Sequence, residues 1–198
     1  MTKKRIIGID PGTNVMGYAI LDVEGNHAQV QVMGTVQMSK VPDHYMRLKR
    51  IFERTQVIIN EFKPDEMAIE APFFGVNFQS TIKLGRAQGI CMAAALSHDI
   101  PVAEYAPMRV KQAITGQGNA TKEQVALMLK RLLCFADMPK YLDATDALAI
   151  AYTHFLANRV NLNVSPDGPK AIAIPKSSGK SSSWADFLKS NPDRIKRS

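Results

Sequence analysis

Ile6-Ile7-Gly8-Ile9-Asp10-Pro11-Gly12-Thr13 is an apolar run that stops on a carboxylate and a turn. The run predicts a strand over 4–10, and Pro11-Gly12 predicts the turn that ends it. Two more strands are expected over 15–23 and 28–38, with Glu24-Gly25-Asn26 as the turn between them. The pattern of an acid at the edge of an apolar element recurs. Glu70 ends Met67-Ala68-Ile69, and Asp143 and Asp146 open Ala147-Leu148-Ala149-Ile150-Ala151. Acidic side chains are seldom fully buried unless they are paired or hold a metal.

Between these acids the periodicity turns helical. Residues 42–62 read as a helix with Tyr45, Leu48, Ile51, Phe52, Ile58 and Ile59 facing inward, ended by Lys63-Pro64-Asp65. Residues 66–70 form the next strand, 78–97 a helix and 101–105 a short strand. Helices over 108–114 and 122–133 flank the Gly-rich stretch Thr115–Asn119, and a last helix runs over 143–157. Three hairpin-connected strands followed by strand–helix crossovers predict an α/β fold. Its five-stranded sheet is mixed and flanked by helices on both faces.

The chain of 198 residues is long enough for one domain with a real core. Its composition changes near residue 158. Residues 1–158 read as the folded domain. Residues 159–198 read as a basic Ser/Pro-rich tail, expected to be flexible because such residues bury too little apolar surface to offset chain entropy. Lys and Arg at 159, 170, 176, 180, 189, 194, 196 and 197 face Asp at 167, 186 and 193, so the tail holds most of the chain's net charge of +7. That charge favours nucleic acid as partner over an acidic protein or lipid. No apolar run reaches membrane-spanning length. Cys91 and Cys134 lack disulfide or metal-ligand spacing and are expected to be buried thiols in a reducing cytoplasm.

Asp143 and Asp146, at i and i+3, share one helical face. Were the fold to gather all four acids, they would make an oxygen-rich pocket for hard divalent cations. Two Mg²⁺ ions there would suit phosphodiester hydrolysis, one activating the attacking water and the other stabilising the leaving 3′-oxygen. Each acid taken singly has a plainer reading. Asp143 and Asp146 suit a helix start through the macrodipole, and Asp10 suits a turn.

Four segments together carry more. Ile6–Thr13 with Gly17-Tyr18, Ala68-Ile69-Glu70, Lys83-Leu84-Gly85-Arg86-Ala87-Gln88-Gly89, and Asp143–Ala151 resemble, in order and spacing over residues 5–156, the RuvC family of bacterial Holliday junction resolvases. The resemblance implies an RNase H-like fold and a homodimer that makes paired symmetric nicks in four-way DNA junctions during recombination and repair. It implies 5′-phosphate and 3′-hydroxyl products. Two Mg²⁺ per subunit, which Mn²⁺ can replace, would be held by catalytic Asp10, Glu70, Asp143 and Asp146. Some relatives carry His at the position of Asp143, so this chain has the all-carboxylate version. A branch-migration helicase complex as partner and a cytoplasmic, nucleoid-associated location follow from the same resemblance. So do a stacking wedge at Phe73 and DNA contacts from Lys111 and Lys122. Arg86, Arg109 and Lys83 are weaker phosphate candidates by residue type alone. The helix with Gly85, Gly89 and Ala93–Ala95 becomes the dimer helix, although its small residues alone slightly favour packing within its own chain. Phe78 is expected to pack inward and His154 to be structural. Trp184, Phe187 and Leu188 have the spacing of a short docking helix.

Two rivals remain. An actin-like or sugar-kinase ATPase also opens with an Asp on a hairpin strand, but this chain is short for two such lobes and lacks a second phosphate loop. A non-catalytic junction-binding protein would keep the fold without needing all four acids.

Overall fold

The computed structural model describes residues 3–72 and 78–159. Strands β1 (Lys4–Asp10), β2 (Val15–Glu24) and β3 (His27–Gln37) come first, then helix α1 (His44–Phe62), strand β4 (Glu66–Glu70) and helix α2 (Phe78–Leu96). Strand β5 (Val102–Tyr105) and helices α3 (Pro107–Thr115), α4 (Lys122–Leu133) and α5 (Asp143–Arg159) complete the order. The sheet order is β3-β2-β1-β4-β5. The first three strands pair antiparallel, while β4 and β5 join in parallel. The mixed five-stranded sheet expected from the sequence is the one observed.

Strand alternation divides the core. On β1, Ile6 joins the cluster under α5, whereas Ile7 and Ile9 join the one under α1 and α2. By the same period of two, Asp10 shares the α5 face with Ile6 and Gly8. On β4, Ala68 lies in the α5 cluster and Met67 and Ile69 in the other, which puts Glu66 and Glu70 on the α5 face.

Helix α5 is buried on nearly every side, from Ala144 and Thr145 through Ala147–Ala151 to Thr153, His154 and Phe155. Its small side chains let it lie directly on the sheet at two glycines. A Cβ on Gly8 would stand 2.1 Å from the Ala147 carbonyl oxygen, and one on Gly17 would stand 1.9 Å from that of Asp143. Gly17 pairs with Asp10 across β1 and β2. The start of α5 is thereby pinned beside the end of β1.

Four side-chain expectations are corrected. Tyr45 is 71% exposed and Phe52 39%. The buried stripe of α1 is Ile51, Thr55, Ile58 and Ile59. Phe52 is turned about 100° from Ile51, and Tyr45 sits in the first turn, ahead of the half-buried Leu48 where packing begins. Cys134 is exposed while Cys91 is buried. Cys134 takes the left-handed cap position of α4 at φ 50°, which carries its side chain off the buried stripe. Phe78 is 66% exposed at the first turn of α2, since that helix's buried face begins only at Ala87.

Candidate active site

Asp10, Glu70 and Asp146 come from the ends of β1 and β4 and the first turn of α5. Asp10 and Glu70 share a side-chain hydrogen bond. Asp146 is close enough for its charge to act on both. Asp143 stands one helical turn earlier and acts on Asp146 and Lys122, marking the rim of the group. Among the described residues no three carboxylate, histidine or cysteine side chains are gathered closely enough to hold a metal ion as they stand. The acids instead make a hydrogen-bonded pair with two neighbours.

The electrostatics explain that arrangement. Burial, reinforced by the Glu70 charge, holds the Asp10 carboxyl well above the usual carboxylate range. Burial also raises Glu70, against the opposing hydrogen bond from Asp10. Burial raises Asp146, against the pull of Lys122. Grouped carboxylates resist full ionisation, and the hydrogen bond between Asp10 and Glu70 offsets part of the repulsion. Lys122 relieves it further by pairing directly with Asp146. Burial works to lower the Lys122 pKa, but that contact and the surrounding acids raise it overall. The site is short of positive charge and offers only hard oxygen donors, which fits a divalent cation of the Mg²⁺ type.

Two small clefts meet at Glu70. One, of about 70 Å³, is lined by Glu70, Lys111, Lys122 and Asp146 over a floor of Val110, Val125 and Ile150. The other, of about 150 Å³, includes Asp10, Pro11, Leu84 and Pro107. Lys111 thus joins Lys122 beside the acids, and its charge also acts on Glu70 and Asp146. The stretch between α3 and α4 is tied down locally. The Thr115 hydroxyl donates to the Lys111 carbonyl at 2.8 Å and accepts from the Gln117 amide at 3.1 Å. Gly116 takes φ 78°, a left-handed conformation natural to glycine. Thr121 then starts α4 with a complete capping box to Gln124, which fixes Lys122 at the first helical position.

The remaining candidates lie elsewhere. Arg86 and Lys83 are exposed on α2. Arg109 is half-buried and its charge acts on Tyr105. Phe73 lies outside the described residues, as do Trp184, Phe187 and Leu188. His154 is far along α5 from the acids and bridges Tyr105 Oη at 2.7 Å and Glu66 Oε2 at 2.8 Å. One participant was not anticipated. Gln88, buried on the inner face of α2, donates to the Glu70 backbone carbonyl. An amide in phase with Cys91 and Ala95 on that helix was the available signal.

The profile of the family described as crossover junction endodeoxyribonuclease RuvC matches residues 6–154. The chain belongs to the RuvC family. It is 54% identical to the crossover junction endodeoxyribonuclease RuvC of Porphyromonas gingivalis, over 98% of both chains. Against the protein of the same name from Bacteroides fragilis the figure is 51%, over 98% of this chain and 97% of the other. Among solved structures, T. thermophilus RuvC in complex with a Holliday junction substrate superposes with a TM-score of 0.73. The two share 36% identity, covering 79% of this chain and 95% of that one. The fold is therefore RNase H-like, and RuvC membership makes the chain an endodeoxyribonuclease.

Proposed function

We propose that this chain resolves four-way DNA junctions by Mg²⁺-dependent hydrolysis, acting as a homodimer that makes paired symmetric nicks. The products would be 5′-phosphate and 3′-hydroxyl ends, ready for ligation during recombination and repair. The observation that carries the reading is the grouping of Asp10, Glu70 and Asp146 at two strand ends and a helix start, with Lys122 paired to Asp146 and Lys111 beside them. Asp10, Glu70, Asp146 and, from the rim, Asp143 are the residues that would hold two Mg²⁺ or Mn²⁺ ions. The bound metal would supply a water of lowered pKa and charge stabilisation at the leaving oxygen.

The chain's own residues do the rest. Half-buried Asp10 and Glu70 present oxygens from the rigid ends of two neighbouring parallel strands. Lys111 and Lys122 put fixed positive charge where a scissile phosphate would approach, so affinity would be salt-dependent. Phe73 is proposed as the ring that stacks on an unpaired base at the junction centre. Arg86 and Arg109 would contact the backbone farther out.

Support for the dimer comes from α2. Gly85 and Gly89 have open space where a Cβ would stand, so they are not needed for packing on their own sheet. A two-fold dimer would present two such sites to two like strands. The nuclease domain is proposed to be residues 1–158, with residues 159–198 as a separate basic segment. A helicase partner and a cytoplasmic, nucleoid-associated setting belong to the same reading, and no described helix is long and apolar enough to cross a membrane.

The test is a nicking assay on a mobile four-way junction and on linear duplex of the same sequence, with and without Mg²⁺. Symmetric cuts confined to the junction and to the metal are expected. Equal cutting of linear duplex, or cutting in excess chelator, would remove the reading. Asp10→Asn and Asp146→Asn should bind the junction and leave it intact.

A further inference from the structure

Glu70 is the last residue of β4, and the ladder between β1 and β4 ends one residue earlier, at the Ile9–Ile69 pair. Glu70 itself is still paired with Tyr105 of β5, and only beyond it does the chain leave the sheet through Ala71 and Pro72. The acid at this strand end therefore needs support from outside the β1 ladder. On one side the Ala71 amide donates to the Tyr105 carbonyl at 2.9 Å. On the other face of the sheet stands Gln88.

Gln88 is 6% exposed, a polar residue on the buried face of α2 between Ala87 and Cys91. Its Nε2 lies 3.2 Å from the Glu70 carbonyl oxygen and 2.6 Å from Glu104 Oε2. A primary amide has two N–H donors, and here one serves each acceptor. Period-two alternation places Glu104 on the α2 side of β5, opposite to Ala103 and Tyr105, which lie in the α5 cluster. The charged carboxylate makes the stronger bond and aims the amide, leaving the second hydrogen directed at the Glu70 carbonyl. Glu104, Gln88 and the Glu70 backbone thus form a short relay from β5 through α2 to the end of β4.

We infer that Gln88 is a positioning residue for Glu70: it touches no substrate, but fixes the backbone from which the Glu70 carboxylate projects. The inference rests on Glu70 being one of the acids of the proposed site. It also gives α2 a second task. The helix whose outward glycines support the dimer holds, from its inward face, a carboxylate of the nuclease centre.

The test uses the full chain carrying Gln88→Met, which preserves side-chain length and removes both donors, and Gln88→Asn, which keeps the amide but withdraws it by one methylene. Three quantities are read: junction affinity without divalent metal, the single-turnover cleavage rate at saturating junction, and Mn²⁺ binding to the protein alone by electron paramagnetic resonance. Outer-sphere partners of metal ligands typically change metal affinity or activity about 10- to 100-fold when removed. Both variants should lose cleavage and bind Mn²⁺ more weakly by a factor near the lower end of that range, with junction affinity within about twofold of wild type. Combining Gln88→Met with Glu104→Leu should cost little more than either alone, because the two act through one bond.

Wild-type cleavage and Mn²⁺ binding in Gln88→Met would overturn the inference. So would parallel losses of junction affinity, cleavage and thermal stability, which would mark a merely structural amide. Should Gln88→Met fail to fold, Gln88→Asn alone decides by the same criteria. Glu70→Gln separates the two levels. If it cuts junctions normally, the site assignment has failed; if it is dead while Gln88→Met is normal, only the positioning role has.

Discussion

At the scale of single residues, two charged side chains answer different questions. Lys122 faces acids that burial alone would discourage from ionising, and its contact with Asp146 compensates part of that cost. Lys122→Met should therefore weaken junction binding and lower the magnitude of its salt slope by about 0.9, the contribution of one phosphate contact. The cleavage rate should fall as well. A titration of affinity against salt for wild type and variant measures this directly, and an unchanged slope would place Lys122 off the DNA. Glu66, at the opposite end of β4, has a structural task. Its carboxylate accepts from His154 and Asn158 and pairs with Lys4, which holds its pKa at about 2. The sign follows from that depression. The stability Glu66 contributes is present above its ordinary pKa of 4.5 and is lost as pH falls towards 2. Glu66→Gln should cost roughly 1–3 kcal/mol near neutrality, a value typical of a broken buried hydrogen-bond network. The gap from wild type should narrow in urea melts as pH falls through that window. A gap that persists at pH 2 would show that the bonds matter without the charge.

At the scale of elements, the sequence was most legible where local chemistry and tertiary packing agree. The strand ending at Asp10 and the helix starting at Lys122 fall where they were expected because Pro11-Gly12 and the Thr121–Gln124 capping box punctuate the chain there. Legibility failed where a residue's environment is set by helix phase or by a partner distant in sequence. The aromatic rings of Tyr45 and Phe52 read as core, yet Thr55 occupies the buried stripe instead, donating to the Ile51 carbonyl at 2.8 Å. Of the candidate site, the four acids could be read as strand ends and a helix start, whereas the approach of Asp10 to Glu70 and the role of Gln88 needed the third dimension. The glycines of β1 and β2 are another such case, because nothing local announces that α5 will rest on them. Gly17→Ala should push the Asp143 backbone away from β2, since the added methyl would stand 1.9 Å from its carbonyl oxygen. Overpacking of this kind costs about 1–3 kcal/mol. The same change at Gly85, which has open space around it, should leave the protomer's stability equal or slightly improved through helix propensity. Comparing the denaturation midpoints checks both, and equal effects would deny the close approach of α5.

At the scale of the whole molecule, the proposed reaction asks for two cuts in two strands, and one site of this size makes one cut. The outward face of α2 is where a second copy is expected to join. Gly89 is exposed and has no neighbour within 4 Å of where its Cβ would be, so the isolated protomer has no use for a glycine there, and a glycine inside a helix costs about 0.5–1 kcal/mol relative to alanine. Close approach of another helix would make the absent side chain useful. Gly89→Glu tests this without disturbing the protomer. Its side chain would meet solvent in the monomer, whereas in a dimer packed through this face it would bring a charge into a two-fold contact and meet its own copy. Sedimentation equilibrium should show the wild type as a dimer and the variant as a monomer, with the circular dichroism spectrum of a folded protomer in both. On a junction held in a supercoiled plasmid, the wild type should convert substrate to linear product within one binding event. The variant should accumulate single nicks, because each cut then needs its own encounter. A variant that remains dimeric, or one that is monomeric yet still yields paired cuts, would move the dimer contact away from α2 or break the link between dimer and paired nicking.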